Sequence, residues 1–197
     1  MKLKRLLFSF ILLIAICLLV FFSVKKLNLN PSKTIGQKLD SLNGVYVFYN
    51  GGVDTNLGRN KSKDGYNYGL KYQCVEFVKR YYLDALKHKM PNTYGHAKDF
   101  FNPKLKDGGL NKDRNLIQFK NYSKTKPKAN DLLVFSGSLF NKYGHVAIVS
   151  KVLEDSIEII QQNPGSFGNS REVFQLIKEN NHFRIKNDNI LGWLRKQ

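Results

Sequence analysis

The chain opens on a run from Leu6 to Val24 without a charged side chain, and then changes texture. Between Gln73 and Lys87, apolar residues recur every three or four positions (Val75, Val78, Tyr82, then Ala85 or Leu86). That spacing predicts a helix with one apolar stripe. From His145 the period falls to two, with His145, Ala147 and Val149 on one face of a strand and Val146 and Ile148 on the other. Gly44–Tyr49, Asp131–Phe135 and Ser156–Gln162 also read as strands, the last entered through the turn Glu154-Asp155-Ser156. Phe174–Ile177 and His182–Ile185 add edge strands, and Ile190–Leu194 ends the chain with a segment of buried character. Asn50–Tyr72 is dense in Gly, Asn, Asp and Tyr and is expected to be loop. Lys87–Lys128 is broken by Pro91, Gly95, Pro103, Gly108, Gly109 and Pro127, leaving room for one short helix within Tyr94–Phe101. One principal helix followed by three to six antiparallel strands predicts an α+β domain, not a doubly wound one.

The apolar run divides the chain. Residues 1–5 form a basic tail, 6–24 a transmembrane signal anchor, 25–38 a short spacer and 39–197 a single domain large enough for one core. As a helix the run spans about 28 Å, close to the hydrocarbon thickness of a bilayer. It ends in Phe21-Phe22-Ser23-Val24-Lys25-Lys26, with no small-x-small pair for cleavage, so an uncleaved anchor is expected, with secretion after cleavage as the alternative. Basic residues flank both ends, and the slight excess at Lys2, Lys4 and Arg5 puts the N-terminus in the cytoplasm and the domain outside. Cys17 lies inside the run with bulky neighbours, which reads as a membrane-buried thiol and not as a lipidation site.

The formal net charge is +17, and the chain remains strongly cationic when the five basic residues around the anchor are set aside. Such a charge attracts polyanions. No zinc-finger spacing, phosphate-binding glycine loop or aromatic RNA-binding signature accompanies it, so the expected partners are anionic cell-envelope polymers and the lipid bilayer, not nucleic acid. Cys17 and Cys74 are the only cysteines. Their placement rules out an internal disulfide and leaves one thiol in the domain, where an extracytoplasmic setting would expose it to oxidation.

That thiol has the setting of a nucleophile. Cys74 falls in the first turn of the predicted helix, where free amide N–H groups favour a thiolate and can meet an oxyanion. His145, at the start of a strand, is the candidate base, expected to pair with the thiolate as an imidazolium. Gln161 and Asn163 share parity at the end of the next strand, so either can accept from the His145 Nδ1–H, while Gln162 points away. Gln73 is a candidate second oxyanion donor beside the Cys74 amide. Tyr66, Tyr68 and Tyr72 are candidates for lining the cleft, equally readable as core. His88, His96 and His182 read as surface or packing residues, and no metal-ligand spacing is present. No cofactor is expected.

The segments Tyr72-Gln73-Cys74-Val75-Glu76-Phe77, Asn130-Asp131-Leu132-Leu133-Val134-Phe135, Gly144-His145-Val146-Ala147-Ile148-Val149 and Gln161-Gln162-Asn163 resemble, in order and spacing, the CHAP domain of cysteine, histidine-dependent amidohydrolases/peptidases. Within that family, Gln-Cys-Val-Glu-Phe and the closing Ile190-Leu191-Gly192-Trp193 look most like the amidase domain of bifunctional glutathionylspermidine synthetase/amidases. The likeness runs from about Gly44 to Trp193. It implies a papain-like, NlpC/P60-type fold and hydrolysis of an amide through a thioester on Cys74, with His145 as base and Asn163 and Gln162 matching the end of the family's Glu-Gln-Asn run. Gln161 stands where many members have the Glu that orients the histidine, and Asn130 where Gly commonly precedes Asp. The implied substrate is peptidoglycan. The alternatives are a glutathionylspermidine-like conjugate, or no turnover at all in a wall-binding module.

Overall fold

The computed structural model describes residues 2–139 and 141–197; Met1 of the basic tail and Phe140 of the turn after Phe135 lie outside the described residues. An apolar helix, α1 (Lys2–Val24), comes first, followed by two short strands, β1 (Lys38–Leu42) and β2 (Val45–Phe48). A hairpin of β3 (Arg59–Lys61) and β4 (Asn67–Leu70) leads into α2 (Cys74–Asp84), and a 3-10 turn occupies Ala97–Phe100. The remaining strands are β5 (Gly109–Asn111), β6 (Leu116–Lys120), β7 (Leu132–Phe135), β8 (His145–Val152), β9 (Ser156–Ile160), β10 (Arg171–Glu179), β11 (His182–Ile185) and β12 (Ile190–Arg195). Among the described residues, β5 to β12 form one antiparallel sheet in the order β11-β10-β9-β8-β7-β12-β6-β5. The fold is α+β, as the sequence predicts.

Helix α2 packs one face onto this sheet. Its stripe of Phe77, Val78, Tyr81 and Tyr82 is fully buried against Leu132, Val146, Ile148 and Ile160. Each such side chain contributes about 1.5–3 kcal/mol by leaving water. The helix ends three residues before the predicted Lys87, because Lys87 is left-handed (φ 54°) and its N–H turns back to the Leu83 carbonyl at 3.1 Å. On the other face of the sheet, Ala147, Val149, Ile157, Ile159, Phe174 and Trp193 form a second cluster. Strand β8 is therefore buried on both faces. The last strand, β12, is central, inserted between β7 and β6.

Two stretches expected to be loop contain hairpins. Arg59-Asn60-Lys61 has no apolar alternation, yet pairs with Asn67–Leu70. The β5–β6 hairpin depends on Arg114, 1 % exposed, whose guanidinium lies 3.8 Å from the centre of the Phe100 ring. That group donates to the carbonyls of Asn92 at 2.5 Å and Tyr94 at 3.2 Å. A buried arginine organising loop carbonyls leaves no periodic trace in the sequence.

Helix α1 is long and apolar enough to cross a membrane, and none of its residues is buried. The segment after it is packed, not a free spacer. The Asp54 N–H donates to the Lys25 carbonyl at 2.9 Å, the Tyr49 hydroxyl to Asn28 Oδ1 at 2.7 Å, and the Asn30 side chain to the Ser166 carbonyl at 3.2 Å. The chain crosses Gly52 so closely that a Cβ there would lie 2.4 Å from the Lys25 carbonyl oxygen.

Candidate active site

Cys74 begins α2 directly after Gln73, whose backbone is extended (φ −80°, ψ 161°). The N–H groups of Val146, Val75 and Cys74 itself favour a negative sulfur, but burial dominates and pushes the thiol up to about 11. Cys74 keeps 9 % of its surface. The Val146 amide is that of the second residue of β8, so the thiol lies against the start of that strand.

Gly144 makes that start of β8 possible. It is left-handed (φ 75°), and a Cβ would lie 2.6 Å from the Phe135 carbonyl oxygen, so only glycine lets His145 pair directly opposite Phe135. His145 Nε2 lies 2.9 Å from Gln161 Oε1. The Gln161 amide nitrogen donates in turn to the Asn169 carbonyl at 3.1 Å and to Glu172 Oε2 at 3.3 Å. With its nitrogen facing two acceptors, Gln161 presents oxygen to the ring. His145 therefore carries its proton on Nε2 and keeps Nδ1 as a bare acceptor. This corrects the expected Nδ1–H contact.

The protonation states differ from expectation as well. Burial pulls the His145 imidazole down to about 4, against the opposing hydrogen bond from Gln161. A thiol pushed up and an imidazole pulled down both run against the expected thiolate–imidazolium pair, and among the described residues no hydrogen bond joins Cys74 to His145. Desolvation penalises both charges, and it outweighs the helix-terminal amides.

The polar run after β9 separates into three tasks. Gln161 reaches His145. Gln162 points the other way, as its parity predicts, and is fully buried; its amide donates to Glu76 Oε2 at 2.8 Å and to the Gln73 carbonyl at 3.1 Å. Glu76 is itself paired with Arg80 at 2.7 Å, so Gln162 ties the first turn of α2 to the strand beside it. Asn163 is left-handed (φ 59°), which breaks the alternation. Its amide donates to Gln73 Oε1 at 2.6 Å and to the Val53 carbonyl at 2.8 Å, and so braces the wall instead of holding the ring.

Gln73 does not offer an oxyanion donor as expected. Its amide nitrogen donates to the carbonyls of Val53 and Thr55, both at 3.0 Å, which uses both of its hydrogens. The tyrosines are also elsewhere. A cleft of about 430 Å³ is bordered by Lys25, Val53, Phe135, His145, Gln161 and Asn163, among others, and by none of Cys74, Tyr66, Tyr68 and Tyr72. Tyr68 is buried with its hydroxyl on Asp84 Oδ1 at 3.0 Å, Tyr66 packs edge-on against Tyr68, and Tyr72 packs on Phe48 with ring centres 5.0 Å apart. His88 is buried with Nε2 2.8 Å from the Arg114 carbonyl oxygen, His96 packs at a tilt on Tyr143, and His182 stacks on Tyr122. Sequence reasoning did not single out Glu172. Its signal is the register, since Glu172 sits opposite Ile159, two residues before Gln161.

A thiol at a helix start, an imidazole at a strand start and a carboxamide closing the next strand have the layout of the papain-type cysteine-hydrolase class. Residues 63–163 match the CHAP domain, a span that holds Cys74, His145 and Asn163, and the chain belongs to the CHAP domain family. It is 30 % identical over 139 residues to the bifunctional glutathionylspermidine synthetase/amidase of Escherichia coli (strain K12), covering 64 % of this chain and 22 % of that protein. Trypanothione synthetase of Crithidia fasciculata is 30 % identical over 95 residues, 48 % of this chain and 15 % of that protein. The chain thus spans about a fifth of the length of these relatives or less. Among solved structures, the wild-type endolysin LysIME-EF1 superposes with a TM-score of 0.40 at 19 % identity, covering 73 % of this chain and 60 % of that one.

Proposed function

We propose that this CHAP domain is a cysteine amidohydrolase that cuts an amide bond of peptidoglycan, held at the outer face of a membrane by α1. The reading rests most directly on the hydrogen bond between His145 Nε2 and Gln161 Oε1, which leaves Nδ1 unprotonated. The Cys74 thiol transfers its proton to Nδ1 as sulfur attacks the carbonyl carbon. General-base attack suits a neutral resting pair, because the charges form only as the tetrahedral oxyanion does. The imidazolium then gives its proton to the departing amine, leaving a thioester on Cys74. Water, deprotonated by His145, attacks the thioester; a carboxylic acid leaves and the thiol is restored.

Family membership supports the class of reaction, and the apolar helix with the cationic remainder favours an anionic polymer of the envelope as substrate. A second reading, hydrolysis of a glutathionylspermidine-like conjugate, draws on the name of the Escherichia coli relative. Mass analysis of products from purified peptidoglycan and from a glutathionyl-polyamine conjugate, with the full chain in detergent, decides between them. New amine and carboxyl ends in the peptidoglycan digest, absent with Cys74→Ala, are expected. Release of free polyamine alone would transfer the assignment to the second reading, and binding without either product would leave a wall-binding module.

A further inference from the structure

Residue 161 is an uncharged glutamine, yet a carboxylate stands one side chain further out. Glu172 Oε2 accepts from the Gln161 amide nitrogen at 3.3 Å, and Gln161 Oε1 accepts from His145 Nε2 at 2.9 Å. We propose that Glu172 is a positioning residue for His145, acting through Gln161 to fix which imidazole nitrogen serves as base. The inference depends on the reading of Cys74 and His145 as the catalytic pair.

An amide side chain can fit a site either way round, and its two orientations impose opposite tautomers on a neighbouring imidazole. Around Gln161 the choice is made by groups that only accept: the carboxylate of Glu172 and the carbonyl of Asn169 at 3.1 Å. The NH₂ end must face them, the oxygen must face His145, and the ring must hold its proton on Nε2. The register makes this contact local. Glu172 pairs with Ile159 across β10 and β9, and a side chain two residues further along the same face is within diagonal reach. Glu172 also borders the cleft that His145 and Gln161 line, so its charge acts on an imidazole that becomes cationic during the reaction. Lys25 borders the same cleft, while Arg171 is turned toward Asp40 and Glu158.

A glutamate at 161 would bring two carboxylates together, each opposing the ionisation of the other. The relay thus gives the glutamine at this position a task that a glutamate would perform less well. It also predicts that Gln161→Glu alone lowers turnover and that Gln161→Glu combined with Glu172→Gln recovers it.

The test is nitrogen NMR of the His145 ring in the full chain in detergent micelles, run beside kcat and KM for wild type, Glu172→Ala and Glu172→Gln. Wild type is expected to show the Nε2–H tautomer. Glu172→Ala is expected to mix the tautomers and lower kcat about tenfold with little change in KM, the loss typical of one hydrogen bond. Glu172→Gln can turn its own oxygen toward Gln161, so it is expected to keep the tautomer and lose less than Glu172→Ala. A pure Nε2–H tautomer in Glu172→Ala, or an unchanged kcat, would overturn the proposal. Undiminished hydrolysis by Cys74→Ala would instead overturn the catalytic reading, and the tautomer measurement would still report on the relay.

Discussion

Cys74 is buried and His145 is half-buried, and the two residues are surrounded by different means of controlling charge. The sulfur belongs to the apolar cluster that holds Phe77, Val146 and Ile148, faces the backbone amides of Val146, Val75 and Cys74 itself, and is raised to about 11 by burial. The imidazole is held by a chain of side chains, Gln161 and then Glu172, and burial lowers it to about 4. A helix terminus alone does not make a thiolate here. In the mechanism proposed above, charge arises by proton transfer from Cys74 to His145, so the orientation of the imidazole matters more than the acidity of the thiol.

The largest effects should come from removing either partner. Cys74→Ala or His145→Ala is expected to lower kcat by about four to six orders of magnitude, since residues that act as a unit fail together; a loss below tenfold in product release from peptidoglycan would break the pairing. Next comes the tie between the two sides. Glu76→Ala takes the carboxylate acceptor away from Arg80, Gln162 and Asn60 together. It is expected to destabilise the domain by about 3–5 kcal/mol, as for breaking a buried ion pair, measured by denaturant unfolding. Gln161→Leu keeps the volume but loses the ring contact, and kcat is expected to fall about 10- to 100-fold, the equivalent of one hydrogen bond to a group that becomes charged.

Acid sharpens the same contrast. His145 is about 4 folded against 6.5 free, so between those values the unfolded chain binds more protons. The contribution of His145 to stability is therefore complete above pH 6.5 and is lost as pH falls from 6.5 toward 4. His145→Gln should flatten that part of the thermal midpoint-versus-pH curve, and an unchanged slope would contradict the neutral imidazole. The smallest effect concerns the segment after α1. Gly52→Val would collide with the Lys25 carbonyl and is expected to lift that segment from the cleft, read as faster proteolysis between Lys25 and Lys33 with the domain's fold retained.

Much of the site was legible because it lies on regular elements. The stripe of α2 placed Cys74, and strand parity sent Gln161 and Gln162 to opposite sides. Parity failed at Asn163, because a left-handed residue ends the alternation, and it could not anticipate that Gln73 would bond to loop carbonyls. Asn130 is left-handed (φ 74°); asparagine tolerates that region, and its Oδ1 accepts from the Tyr81 hydroxyl at 2.5 Å. The β3–β4 and β5–β6 hairpins escaped notice because polar contacts, above all those of Arg114, hold them in place of an apolar pattern. Glu172 was visible only once the β9–β10 register was known.

Covalent capture at Cys74 tests the central claim most directly. The full chain is mixed with peptidoglycan fragments, quenched in acid and digested, and the peptide carrying Cys74 is weighed by mass spectrometry. An acyl group on that sulfur, formed by wild type and accumulating when His145 is replaced by a poorer base, is the predicted result. Turnover with no adduct at Cys74 under any quench time, or equal turnover after Cys74→Ala, would contradict it.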